Sequence, residues 1–345
     1  MSVYNLLLGV VGAGGSSPSN AIVVGHSITP FVSAYPWTSG TGFGSKYTNP
    51  ATVPSGSYVP DSSFNPARTN IVMSSTSTPF IHAYPWSSGL GTKYGNPATL
   101  PAGFGYPAQF HPLGNDVLGL SFTSTPQLYA YAWSSGFGSK YANAASAPRG
   151  SAAQFASFNP AGTSLAVGGG GTAYFVDFYF WSSGFGTKYA SGITLSSPCY
   201  STWYSPDGTI LYITFNNSPW VAAYPWTEGT GTGTKYTDPA TTPTGLAVRV
   251  KTNPTGSVVA VSHTTTPFVT TYPWSAGFGT KYTNPSTLPT GSGNAVNFNS
   301  TGTDITVAHT TTPFVSAYPW SGGFGTKYAN PATLPASDGQ SVTYN

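Results

Sequence analysis

Seven lysines, Lys46, Lys93, Lys140, Lys188, Lys235, Lys281 and Lys327, each stand directly before a tyrosine. They make up most of the 11 basic residues in a chain whose formal charge is only +3. In most copies the turn three residues upstream carries an apolar side chain: Phe43, Leu90, Phe137, Phe185, Phe278 or Phe324. Two kinds of chemistry fit this set. Lysine on an exposed edge strand discourages edge-to-edge pairing, and its methylene stem can cover nearby rings. Alternatively, the set forms a basic and aromatic rim that docks on an acidic partner or an anionic glycan. Arg249 and Lys251 stand apart from this pattern, at positions where other copies carry Ala295 and Asn297, or Ser63 and Gln109. On an innermost strand such charges hold an anion in a central channel, reach water there, or pair locally.

Other reactive side chains are sparse. His26, His263 and His309 occupy one equivalent position, too far apart on neighbouring units to share a metal ion. The eight carboxylates, Asp61, Asp116, Asp177, Asp207, Glu228, Asp238, Asp304 and Asp338, include no close pair of the kind a glycosidase uses. Asp207 reads as a turn residue, with Asp61 and Asp304 near the same turn. No Gly-x-Ser-x-Gly elbow, metal-spaced His/Cys set, calcium loop or phosphate loop is present. The one cysteine, Cys199, excludes an internal disulfide and reads as a packed thiol. The expectation is no catalytic residue, no metal and no cofactor. Any enzymatic site would lie where the copies diverge most, at 168–180 and 195–203.

What positions these residues is a repeat. Trp37, Trp86, Trp133, Trp181, Trp226, Trp274 and Trp320 recur at intervals of 49, 47, 48, 45, 48 and 46 residues. A period of this length marks a solenoid, propeller or array. Within the last copy four strands are expected: 295–299, 304–310, 314–320 and 325–329. They are separated by a Ser300-Thr301-Gly302-Thr303 turn, a Thr-Thr-Thr-Pro turn and a glycine-rich turn. No segment carries a sustained helical period. Four strands per unit and seven units predict an all-β, seven-bladed β-propeller of four-stranded antiparallel blades. The C-terminal Ser341-Val342-Thr343-Tyr344-Asn345 aligns with Ala295-Val296-Asn297-Phe298-Asn299, whereas the first copy lacks an innermost strand. The C-terminal strand is therefore expected to close the ring. Residues 20–345 form the propeller, and residues 1–19 an apolar, Gly/Ser-rich arm. The run at its start lacks the basic residues of a secretory leader and is too short to span a membrane.

The Ser205-Pro206-Asp207-Gly208 turn and the aromatic third strand resemble WD40 and YVTN-type repeats. The string Ala308-His309-Thr-Thr-Thr-Pro-Phe-Val, followed by Asn330-Pro-Ala-Thr-Leu-Pro, resembles propeller repeats in structural proteins of tailed bacteriophages. No Trp-Asp pair ends the third strand, so the WD40 hydrogen-bond network is not carried over. Charged residues are only 6% of the chain against a usual ~25%. With a polar uncharged exterior and exposed Tyr and Trp, the resemblance implies a non-enzymatic virion structural, decoration or host-adhesion protein. It would be homo-oligomeric or multi-copy on the particle. Its partners would be other virion proteins or a host-surface glycan, with the arm at residues 3–11 as anchor. The alternatives are a multivalent carbohydrate-binding propeller, secreted or at a cell surface, and, third, an enzyme. The small net charge points away from nucleic acid.

Overall fold

Each of the recurring tryptophans is flanked by apolar residues alternating at period two, and this pattern builds a strand whose Trp points into the gap between neighbouring sheets. The computed structural model describes residues 20–122 and 124–345, and the proposed arm at 1–19 lies outside the described residues. The described chain contains strands and turns but no helix, arranged as seven antiparallel sheets, one per repeat. The all-β, seven-bladed propeller is thus observed, and the described Trp37, Trp86, Trp133, Trp181, Trp226 and Trp320 are only 4–7% exposed. The expectation of exposed tryptophans is therefore corrected: the indoles are the inter-blade core.

The seven contacts repeat around the ring. Every Trp meets edge-on, or tilted at 52° for Trp226, the tyrosine that follows the lysine of the preceding blade. Ring centroids are 5.1 Å apart for Trp37–Tyr328 and 6.0 Å for Tyr141–Trp181. Such pairs add about 0.5–1.5 kcal/mol beyond their area burial. The lysine–tyrosine dipeptide thus recurs because its tyrosine is one half of the inter-blade joint.

Closure follows the expected register. Gly339–Tyr344 pairs antiparallel with Ala21–His26, placing Val342 opposite Val24 and Tyr344 opposite Ile22. Trp37 of this blade then reaches Tyr328 of the last one. Asp304, 1% exposed, fastens the joint. It accepts from Trp37 Nε1 at 3.2 Å, Tyr328 OH at 2.7 Å, Asn299 Nδ2 at 2.7 Å and Ser39 Oγ. Asp116 does the same between blades three and four, accepting from Tyr141 OH at 2.6 Å and Trp181 Nε1 at 3.4 Å. Asp304 thus opens its second strand beside the turn, as expected, and its side chain is a buried joint. Between blades one and two, by contrast, Trp86 Nε1 is buried without a partner.

The outermost strand differs from blade to blade, and proline explains the difference. It is four residues long in blade three (Phe137–Lys140) and blade four (Phe185–Lys188). It shrinks to two in blades one and five, and to a single bridge in the other three. Blades three and four carry Ala132 and Phe180 just before the Trp, where the other five carry Pro36, Pro85, Pro225, Pro273 and Pro319. The proline carbonyl still accepts, as from Gly325 N to Pro319 O at 2.8 Å. The ring has no N–H to return, so the ladder stops there. The chain nevertheless stays alongside, with Tyr328 N donating to Ala317 O at 2.9 Å.

Because Asp304 collects several donors at the closing joint, Asp304→Ala leaves Trp37 Nε1 and Tyr328 OH without their acceptor. The expected loss is about 3 kcal/mol of unfolding free energy, read by denaturant melts. A loss under ~0.5 kcal/mol, the range of a neutral surface change, would show that the closing joint does not depend on this carboxylate.

Candidate functional site in the central channel

The innermost strands of all seven blades line a channel that holds two chambers. The first, about 290 Å³, lies toward the N-terminal ends of those strands. Its walls include Tyr58, Tyr106, Phe104, Phe122 and Tyr200, with the amides of Gln154, Asn294 and Gln340. The second, about 200 Å³, lies further along the same strands and is lined by Asp61, Gln109, Phe155, Trp203, Lys251 and Asn297, among others. Consecutive residues sort between them: Pro60 and Gln154 face the first, Asp61 and Phe155 the second. Both lie in the size range of a small-molecule site or just below it.

Arg249 stands between the chambers. It is 8% exposed and lies 4.5 Å above the Phe155 ring. Its Nη1 donates to Tyr200 O and Val248 O at 3.2 Å, and its Nη2 reaches Pro60 O across the channel at 3.5 Å. Lys251, two residues on and thus on the same face of the strand, sets its Nζ 3.4 Å from the centre of the Trp203 ring. Asp61 ends the connection into blade two, immediately before the innermost strand Ser62–Phe64. The sequence placed it only near a turn; the structure makes it a channel residue. Desolvation lifts the Asp61 carboxyl to about 6, against the pull of Arg249 and Lys251. Desolvation likewise lowers the Lys251 ammonium to about 8, with Asp61 opposing. Among the described residues, the ion pairs involve Asp177 and Asp238 only, so none joins these three groups.

The rim residues are placed differently. The seven lysines sit one per blade on the outermost segment and do not converge. Lys46, Lys93, Lys281 and Lys327 donate to Asn49, Asn96, Asn284 and Asn330, three residues along the chain. Lys140 does so to Asn143 at 2.5 Å, and Lys235 pairs with Asp238 at 2.7 Å. Lys188 turns to the buried Asp177, 2.7 Å away, which Arg149 also holds. Phe43, Phe137, Phe185, Phe278 and Phe324 stack edge-on against their own blade's tryptophan, at centroid distances of 5.1–5.4 Å. These contacts give the lysines a local partner in every blade and the phenylalanines a packing role in five of them.

Sequence reasoning reached Arg249 and Lys251 through their break with the repeat, but missed Asp61 and the aromatic first chamber. The signal for Asp61 was its place next to an innermost strand. Cys199 is fully buried, and burial pushes its thiol up to about 12, out of nucleophilic range.

No protein-family model and no curated protein matches the chain. Solved structures do. A periplasmic gluconolactonase from Pseudomonas aeruginosa matches with a TM-score of 0.70 at 12% identity, over 94% of this chain and 99% of that one. A candidate 6-phosphogluconolactonase from Bacteroides uniformis matches with a TM-score of 0.67 at 13% identity, over the same shares. A protein of unknown function from Desulfotomaculum acetoxidans also gives 0.67 at 13% identity and the same coverage. At these identities the likeness establishes the fold. It also corrects the expectation of a non-enzymatic phage-particle protein. The neighbours named for an activity are lactonases, and none of these names links the chain to WD40 or phage proteins.

The histidines are structural by geometry. His26, His263 and His309 direct Nε2 at Ser33 (3.1 Å), Thr270 (2.9 Å) and Ser316 (3.0 Å) on the adjoining strand. In blade two the pair is exchanged: Ser75 directly follows the second strand, Asn70–Ser74, and His82 lies on the third, 3.0 Å away. Burial lowers His26, His263 and His309 to about 4 and His82 to about 3. Between pH 6.5 and these values the unfolded chain therefore holds more protons than the folded one. The histidine contribution is complete above pH 6.5 and is lost as pH falls toward 4. Asp61, with its raised value, works in the opposite direction between 3.8 and 6, but is one group against four. The melting temperature is expected to fall steadily from pH 7 to 4.5, and the double substitution His263→Gln, His309→Gln to flatten that slope. A flat or rising profile in the unsubstituted protein would contradict it.

Proposed function

We propose that the chain is a hydrolase, that its active site is the central channel, and that its substrate is a cyclic ester of a sugar acid. The observation that carries this reading is the second chamber. There Asp61 and Lys251 line one pocket of the channel, and no ion pair among the described residues neutralises either. The activities named for the structural neighbours support the choice of ester.

The chemistry is addition of water to a carbonyl. Asp61, ionised above about pH 6, takes a proton from water, and the water oxygen forms a bond to the ester carbon. Negative charge gathers on the carbonyl oxygen, and the Lys251 ammonium, present below about pH 8, stabilises it. As the carbonyl re-forms, the ring C–O bond breaks. The departing alkoxide takes the proton held by Asp61, giving an open-chain hydroxy acid. Trp203 beneath Lys251 keeps the ammonium in place through its ring face. Gln109 Oε1, buried without a partner in the same chamber, is available to a substrate hydroxyl.

Proton release from a gluconolactone, followed in a pH-stat against the spontaneous rate, tests this. The expected rate profile is bell-shaped with limbs near pH 6 and 8. Asp61→Asn should lower the catalysed rate at least ~100-fold with the fold intact by circular dichroism. No acceleration over the spontaneous reaction, or an undiminished Asp61→Asn variant, would overturn the proposal.

A further inference from the structure

The first chamber contains a charge the catalytic reading does not use. Arg249 is a buried guanidinium whose direct contacts all go to neutral groups: carbonyl oxygens of Tyr200, Val248 and Pro60, and the face of Phe155. Asp61 attracts it through space but forms no ion pair with it. A guanidinium carries five N–H donors, so these contacts leave donors free. Buried charges are ordinarily paired, because removing an ion from water is strongly unfavourable unless an opposite charge compensates. Here the residues lining the two chambers supply two cations, Arg249 and Lys251, against one carboxylate, Asp61. The channel therefore carries one uncompensated positive charge.

The rest of the chamber restricts what brings the missing negative charge. Tyr58 and Tyr106 are joined through their hydroxyls, and with Tyr200, Phe104 and Phe122 they offer ring faces and edges. Asn294 Nδ2 is committed to Gly339 O at 2.9 Å, and Gln340 Nε2 to Asp338. Gln154 Oε1 is buried with no partner. An amide nitrogen carries two N–H donors, so Asn294 and Gln154 offer donors as well as acceptors to a hydroxylated ligand.

We propose that this chamber binds a small polyhydroxylated anion, with its carboxylate or phosphate on Arg249 and its hydroxylated carbons between the tyrosines and the side-chain amides. The proposal rests on the channel reading for its place in the molecule, but it is tested by equilibrium binding without turnover. Carboxylate and phosphate share the chemistry Arg249 recognises, since either accepts two parallel N–H bonds from one guanidinium.

Calorimetric titration of the full chain with gluconate, 6-phosphogluconate, inorganic phosphate and neutral sorbitol decides it. Gluconate or 6-phosphogluconate should bind at least ~10-fold more tightly than sorbitol, with an affinity that falls as salt rises. The tighter of the two identifies carboxylate or phosphate as the group on Arg249. Arg249→Gln should weaken that ligand at least ~30-fold, in the range of a lost charge-assisted bond. Arg249→Lys, which keeps the charge and guards against misfolding of the first variant, should retain part of the affinity. Lys93→Gln on the rim should change nothing. Asp61→Asn should bind the anion equally or more tightly. Equal affinity for sorbitol and the sugar acids would overturn the proposal. Inorganic phosphate matching the sugar acids, or an unaltered Arg249→Gln variant, would do the same. Anion binding without hydrolysis leaves this site standing and removes only the catalytic reading. Hydrolysis indifferent to Arg249→Gln removes only this site.

Discussion

Everything in this molecule depends on the contact between one blade's tryptophan and the preceding blade's tyrosine. The pair recurs at all seven joints, including the one between the two ends of the described chain, where Trp37 meets Tyr328. It is mostly apolar and edge-on, so it sets both distance and angle between sheets. Where acids are available, as at Asp304 and Asp116, they bind the indole and the phenol of one joint together. Glu228 makes a related clasp between blades four and five, accepting from Ser164 Oγ at 2.7 Å and Tyr189 OH at 3.2 Å. Much of the small supply of carboxylates is thus spent on joints.

A ring held this tightly at its waist presses seven innermost strands toward a common axis. Each innermost strand pairs on one side only, so backbone carbonyls as well as side chains face the channel, and Arg249 uses three such carbonyls. Most lining side chains are neutral or aromatic. The departure lies where Arg249, Lys251 and Asp61 replace them, next to aromatic residues that lower the local dielectric. The same burial that raises Asp61 and lowers Lys251 brings both toward neutral pH, where proton transfer is useful.

Much of the architecture was legible in the sequence, for physical reasons that can be named. The tryptophan spacing revealed the blades, and the match of Ser341–Asn345 to Ala295–Asn299 revealed the closing strand, because strand pairing preserves register. Strand positions two and three were legible from alternation. The length of the fourth strand was not read, although the signal was present: Ala132 and Phe180 supply an N–H that Pro36, Pro85, Pro225, Pro273 and Pro319 lack. The sevenfold recurrence of the lysines accompanies the inter-blade tyrosine beside each of them, so packing alone accounts for their spacing. The channel site was half visible. Arg249 and Lys251 broke the pattern, whereas Asp61 was hidden by the irregular connection between blades one and two, where spacing gives no alignment. The exchange of His26–Ser33 for Ser75–His82 shows the same logic inside one chain, since a hydrogen-bonded pair keeps its chemistry when its members trade places.

The most direct measurement is a crystal structure of the protein soaked with gluconate or 6-phosphogluconate. The account expects density for the ligand inside the channel, its anionic group against Arg249 and its carbon chain extending toward Lys251 and Asp61. Density at the lysine rim with the channel empty would contradict it.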